Sequence, residues 1–138
     1  AGAAHLTVIT RRQSQGVEVA KLVQQATGVP TEWILWAGNI ALPEGTQIVL
    51  NATHLGALPE LESVPVDWST VSAGATVVDV ITNPRITPFL ATAREHGCSV
   101  VDGVDMLVQL AMQIFEAWTG ISPDEQVFQK AVEKALTE

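Results

Sequence analysis

The sequence is poor in cysteine, in charge and in recognisable catalytic signatures, and each shortage narrows what the chain can be. Its single cysteine, Cys98, cannot form an internal disulfide, so an apolar core has to hold the fold, and a reducing, cytoplasmic setting is expected. Charged residues make up 16% of the 138 positions against 47% hydrophobic ones, a balance that suits one globular domain rather than a disordered chain. The 7 basic residues face 15 acidic ones, for a formal charge of -8. That excess repels phosphate backbones and anionic lipid, so neither nucleic acid nor a membrane surface is an expected partner. Gly, Pro or a charge interrupts every apolar run before it reaches the roughly 20 residues that span a bilayer, and no stretch has the form of a secretory leader.

Catalytic signatures are missing as well. The chain has no G-x-S-x-G elbow, no G-x-x-x-x-G-K-[ST] loop and no G-x-G-x-x-G turn. His5, His54 and His96 lack the spacing of metal ligands, and one thiol is too few for a structural zinc, so no metal is expected. Ala1-Gly2-Ala3-Ala4 runs straight into strand-like sequence with no helix start or turn of its own, which reads as a cut end.

What is present is an alternation of short apolar runs with helical patterns. Strands are expected at His5 to Ile9, Glu32 to Trp36, Gln47 to Leu50, Thr76 to Ile81 and Ser99 to Asp102. These runs carry almost no charge, as strands covered on both faces do. Val19, Leu22, Val23 and Ala26 recur at helical spacing from Val17 onward, and Gly28-Val29-Pro30 stops them. Thr87-Pro88 opens a second helix that Gly97 closes; Gly103 to Trp118 forms a third; Ser122-Pro123 caps a last one, at about 123–136. The pattern predicts an α/β fold, a doubly wound parallel sheet of Rossmann-like kind, with residues 1–138 as one partial dinucleotide-binding domain. Trp33, Trp36, Trp68 and Trp118 are read as core anchors.

Parallel sheets bind ligands at the carboxyl ends of their strands, which directs attention to the turns that follow each one. Thr10-Arg11-Arg12 places two guanidinium groups where an adenosine ribose would lie, a choice that favours a 2′-phosphate and hence NADP over NAD. A solvated pair of charges is the commoner reason for such a turn. Asn51-Ala52-Thr53-His54-Leu55-Gly56 is small and polar enough for close approach to a cofactor, although an ordinary turn with Asn51 and Thr53 bonding to their own backbone is the commoner reason for such a loop. Asp79, inside a strand, must find donors or stay protonated, and is read as structural.

The order of these motifs resembles the carboxyl-terminal domain of shikimate and quinate dehydrogenases over essentially the whole chain. AGAAHLTVITRR resembles the end of that domain's first helix, its second strand and its 2′-phosphate turn; NATHLG its Asn-Ala-Thr-x-x-Gly loop; DVITNPRITPFLATAREHGC its Asp-x-x-Tyr-x-Pro-x-x-Thr-x-x-Leu stretch; VDGVDMLVQLAMQIFEAWTG its Asp-Gly-x-x-Met-Leu helix. The resemblance implies a cofactor, NADP with NAD as the alternative, held by Thr10, Arg11, Arg12, Asn51, Ala52 and Thr53, with Val80 and Gly103 beside the nicotinamide. Gln15 stands where NADP-selective members often have a second basic residue. Thr82 and Leu110 replace the tyrosine and glutamine that touch the hydroxylated ring acid in the family, which turns attention to another small-molecule substrate.

The same resemblance implies that the first strand, the glycine-rich loop and an amino-terminal substrate domain with the catalytic Lys and Asp are missing. No catalytic residue is then expected in this chain, and the last helix is expected to pack on the missing domain. The implied activity is hydride transfer between NADP and 3-dehydroshikimate/shikimate or a related cyclic hydroxy acid, within aromatic amino acid biosynthesis, with a homodimer as a compatible assembly. A domain that kept the fold as a binding module, or a dehydrogenase with a different substrate, fits the altered positions Thr82 and Leu110 as well.

Overall fold

The computed structural model describes residues 2–59 and 61–137; Ala1 and Glu138, the ends of the expected domain, lie outside the described residues. The chain divides into two compact units, Ala1–Ile40 and Ala41–Glu138.

The first unit is a βαβ element. Strand β1 (Leu6–Thr10) runs parallel to β2 (Thr31–Leu35), in a register from Leu6 opposite Thr31 to Thr10 opposite Leu35. Helix α1 (Gln13–Thr27) connects them and ends where Gly28, at φ 71°, returns its N–H to the Gln24 carbonyl. That left-handed turn is open to glycine at no steric cost. Gly16 is buried because α1 lies tight against the strands: a Cβ there would sit 2.9 Å from Thr10 Cγ2 and 3.1 Å from the Trp33 ring.

In the second unit, β3 (Ile48–Asn51), β4 (Thr76–Asp79) and β5 (Ser99–Val101) form a three-stranded parallel sheet in that order. Helices α2 (Pro88–Glu95), α3 (Gly103–Thr119) and α4 (Glu125–Thr137) complete it, with a 3-10 turn at Trp68–Thr70. The core is built on Val77 of β4, Phe89, Leu90 and Ala93 of α2, and Val104 and Val108 of α3, all of them buried. Trp68 closes one side of it, 5.5 Å from the Phe89 ring and stacked at 5.3 Å on His96. Helix α4 packs on α3 through an edge-to-face contact of Phe128 with Phe115, 5.4 Å between centroids, a favoured aromatic geometry.

The expected elements are all present, and the fold class is α/β with parallel strands. Hydrogen bonds join β1 to β2 in the first unit and β3 to β4 and β5 in the second. Three expectations need correction. Strand faces expected to be covered are open, with Ile48 68% and Leu50 55% exposed. Trp118 is 84% exposed, because it stands in the last turn of α3 just before Gly120 turns the chain. The last helix also begins two residues late. Asp124, not Ser122, serves its first turn by accepting from the Gln126 N–H at 2.9 Å.

Candidate functional site

The residues suspected from the sequence end or follow strands or open helices, except Leu110 in the middle of α3; Thr10, Arg11, Arg12 and Gln15 lie in the first unit and the others in the second. In the first unit, the turn after β1 carries Thr10, Arg11 and Arg12. The Thr10 hydroxyl accepts from the Arg12 N–H at 3.3 Å and the Thr10 carbonyl accepts from the Trp36 N–H at 2.8 Å, so the turn is tied to the end of β2. The Arg11 guanidinium lies over the Trp36 ring, 4.6 Å from its centroid, a cation–π contact. Both arginines are exposed. Among the described residues, neither pairs with a carboxylate. Gln15 is exposed on the first turn of α1.

In the second unit, the loop after β3 is shaped by a buried chain of hydrogen bonds. Asn51 is 4% and Asp79 0% exposed. The Asn51 amide donates to the Leu55 carbonyl and to Asp79, both at 3.1 Å, while its oxygen accepts from the Thr53 N–H at 3.0 Å and hydroxyl at 2.7 Å. Asp79 further accepts from the Ile81 N–H at 3.1 Å and from the Thr87 hydroxyl at 2.7 Å, and that hydroxyl in turn accepts from the Leu90 N–H. Asn51 therefore turns inward, and its side chain is occupied by the loop and by Asp79. Ala52 and His54 are the exposed members of the loop, with Thr53 half-buried. Asp79 finds the three donors that a buried carboxylate needs.

Beyond β4 the backbone meets the start of α3. Gly103 is buried where a Cβ would fall 2.6 Å from the Val80 carbonyl oxygen and closer still to that of Ile81, so only glycine lets the two segments approach this far. Asp102 caps α3, accepting from the Val104 and Asp105 N–H groups at 3.0 and 2.9 Å.

Arg85 was not singled out from the sequence, yet it organises this end of the unit. Its Nε donates to Asp102 at 2.7 Å, Nη2 to Asp105 at 2.8 Å and Nη1 to Glu133 on α4 at 3.2 Å. Burial pushes the Asp102 carboxyl up, but the Arg85 hydrogen bond and the helix amides outweigh it and hold it below the usual carboxylate range. The hydrogen bond that Arg85 donates to Asp102 raises Arg85 in turn, against the effect of burial. Thr82, Asn83, Arg85, Val104, Glu133 and Leu136 line a cavity of about 410 Å³, within the range of small-molecule sites. Leu110 is not among the lining residues and is 49% exposed on α3. Nothing in the local sequence around Arg85 marks its role, since its partners lie 17, 20 and 48 residues away.

Among the described residues, no helix is long and apolar enough to cross a membrane, and no group of His, Cys, Asp and Glu is arranged to hold a metal. No protein-family model matches the chain. A shikimate dehydrogenase (NADP(+)) of Archaeoglobus fulgidus is 34% identical over 131 residues, covering 94% of this chain and 47% of that protein. The ligand-free 5-ketofructose reductase of a Gluconobacter strain superposes with a TM-score of 0.91 at 35% identity, covering 97% of this chain and 48% of the other. Quinate dehydrogenase from Corynebacterium glutamicum, solved with NAD, superposes with a TM-score of 0.80 at 25% identity, covering 94% and 46%. The chain spans about half the length of these relatives. In motif order, in parallel α/β architecture and in these matches, the chain is similar to about half the length of shikimate and quinate dehydrogenases.

Proposed function

We propose that this chain is the cofactor-binding part of an NADP-dependent oxidoreductase of the shikimate dehydrogenase type. The observation that carries the reading is the turn after β1, where Arg11 is steadied over Trp36, Arg12 stands beside it, and neither is neutralised by a carboxylate among the described residues. Stacking occupies one face of the Arg11 guanidinium and leaves its edge donors for the paired hydrogen bonds that a phosphate accepts. A 2′-phosphate is what distinguishes NADP from NAD, so the donor set fits the phosphorylated cofactor. The related proteins named as NADP-dependent shikimate dehydrogenases agree with this choice.

When bound, the nicotinamide donates or accepts a hydride. The chain's own part is orientation. Ala52 and Thr53 offer a small-residue loop whose shape Asn51 fixes from inside, and Val80 with Gly103 gives a close-packed backbone wall at the end of β4. No side chain in this chain is assigned to proton transfer. On this reading the acid/base pair is supplied by an amino-terminal substrate domain outside this chain, and the 138-residue chain alone is expected to pass no hydride.

Isothermal titration of the full-length protein tests the cofactor reading. NADP is expected to bind more tightly than NAD, and Arg11→Ala to weaken NADP by about tenfold to a hundredfold, the value of charge-assisted hydrogen bonds, closing the gap. Equal affinities of the unmutated protein for the two cofactors would overturn the reading.

A further inference from the structure

The geometry points to Thr87, fully buried at the start of α2, as a positioning residue that sets the loop of Ala52 and Thr53 for the nicotinamide half of the cofactor. The inference deepens the cofactor reading above and rests on it.

Thr87 is 0% exposed, so it acts only through its neighbours. Its hydroxyl accepts from the Leu90 N–H at 3.2 Å, which leaves its one proton for Asp79 Oδ2 at 2.7 Å. Capping α2 needs only the first of these bonds; the second is additional to that role. The other oxygen of the carboxylate, Oδ1, accepts from the Asn51 amide and from the Ile81 N–H, both at 3.1 Å. Asn51 passes the connection on, accepting from the Thr53 N–H and hydroxyl and donating to the Leu55 carbonyl. An unbroken run of hydrogen bonds thus leads from Thr87 to both sides of the loop. The two oxygens of Asp79 are held by different segments, so its carboxylate plane is fixed. Among the described residues, no buried side-chain nitrogen or oxygen lacks a partner, and a polar network satisfied in this way is rigid.

The far end of the loop meets the same residue. Gly56, at φ 99°, passes so close that a Cβ on it would lie 3.3 Å from Thr87 Cβ. Between the Asn51 and Gly56 anchors, Ala52 and His54 are exposed and Thr53 is half-buried. The part of the loop able to face a ligand is therefore the part held between two points that Thr87 fixes. Thr87 itself has a firm base, because Phe89, Leu90 and Ala93 of the helix it caps are buried in the core. A binding group has to be held to within about 0.5 Å to orient its ligand, and that precision comes from the residues behind it.

Isothermal titration of the full-length protein with two probes tests the inference. One is NADPH; the other is 2′,5′-ADP, which keeps the 2′-phosphate and lacks the nicotinamide. Thr87→Val keeps the side-chain shape and removes the donor. It is expected to weaken NADPH by about tenfold and to lower the polarisation of the bound nicotinamide's fluorescence, while 2′,5′-ADP stays within about twofold. Thr87→Ser, which keeps the hydroxyl, is expected to bring NADPH back to within about twofold of the unmutated protein. Equal weakening of both probes, including loss of both through unfolding, would confine Thr87 to the core and overturn the inference. No change in either probe would do the same, as would a serine variant no better than the valine one. If the unmutated protein bound neither probe, the cofactor reading itself would fall instead.

Discussion

Asn51 shows how a residue can be found for one reason and used for another. In the sequence it opens a small polar loop after a strand, and the same letters suit a cofactor contact or a self-bonded turn. The structure shows its side chain bonded to Thr53, Leu55 and Asp79, so its immediate work is to shape the loop. Asn51→Ala leaves the buried Asp79 short of a donor and the Leu55 carbonyl without one, and each unsatisfied buried group costs about 1–3 kcal/mol. We expect a loss of about 3 kcal/mol in urea unfolding, with Asn51→Asp no better, because it sets a second carboxylate against Asp79. A loss under about 0.5 kcal/mol, the range of ordinary surface changes, would contradict the buried network. Gly103→Ala is the second sensitive change at this scale. Its Cβ meets the Val80 and Ile81 carbonyls, which are backbone and cannot swing aside, so a cost of about 1–3 kcal/mol is expected, with a larger loss for Gly103→Val.

At the scale of elements, helix ends carry most of the chemistry and were unevenly legible. The Thr87-Pro88 start of α2 and the Gly28 and Gly120 stops stand in the sequence because each cap needs a particular residue type. The start of α1 at Gln13 does not, since Arg12 makes no side-chain cap and the apolar spacing begins only with the second turn. Asp102, expected at the end of a strand, is the cap of α3; its tie to Arg85 depends on residues far apart in sequence and is invisible to local pattern. That tie has a pH signature. Asp102 has its carboxyl held below the usual range in the folded state, so folding favours the deprotonated form, and its contribution is complete above the unfolded-state value of about 3.9. It is lost as pH falls through the lower, folded value. Stability is therefore expected to drop on acidification below about pH 4, and Asp102→Asn to be less stable at neutral pH but to show a shallower acid limb. An unchanged acid limb in that variant would contradict the assignment.

At the scale of the whole chain, the alternation of strands and helices was enough to give the α/β class, because short uncharged runs and amphipathic stretches have different periods. The order of strands within each sheet was not, since sequence period reports which residues form a strand and not which strand lies beside it. Leu50 is in register with Val78 and, across β4, with Val101, while Ile48, two positions earlier, lies on the same face of β3. Ile48, Leu50 and Val101 are 68%, 55% and 36% exposed, a continuous apolar row open to water in a chain otherwise protected from association by its net charge of -8. The 138-residue chain is therefore expected to bind an apolar fluorescent dye while folded, and Ile48→Lys with Leu50→Lys to remove most of that signal without loss of helical circular dichroism, because side chains already in water contribute little to the core. If the folded chain gave no dye enhancement, or if the two lysines unfolded it, the face would have to be covered.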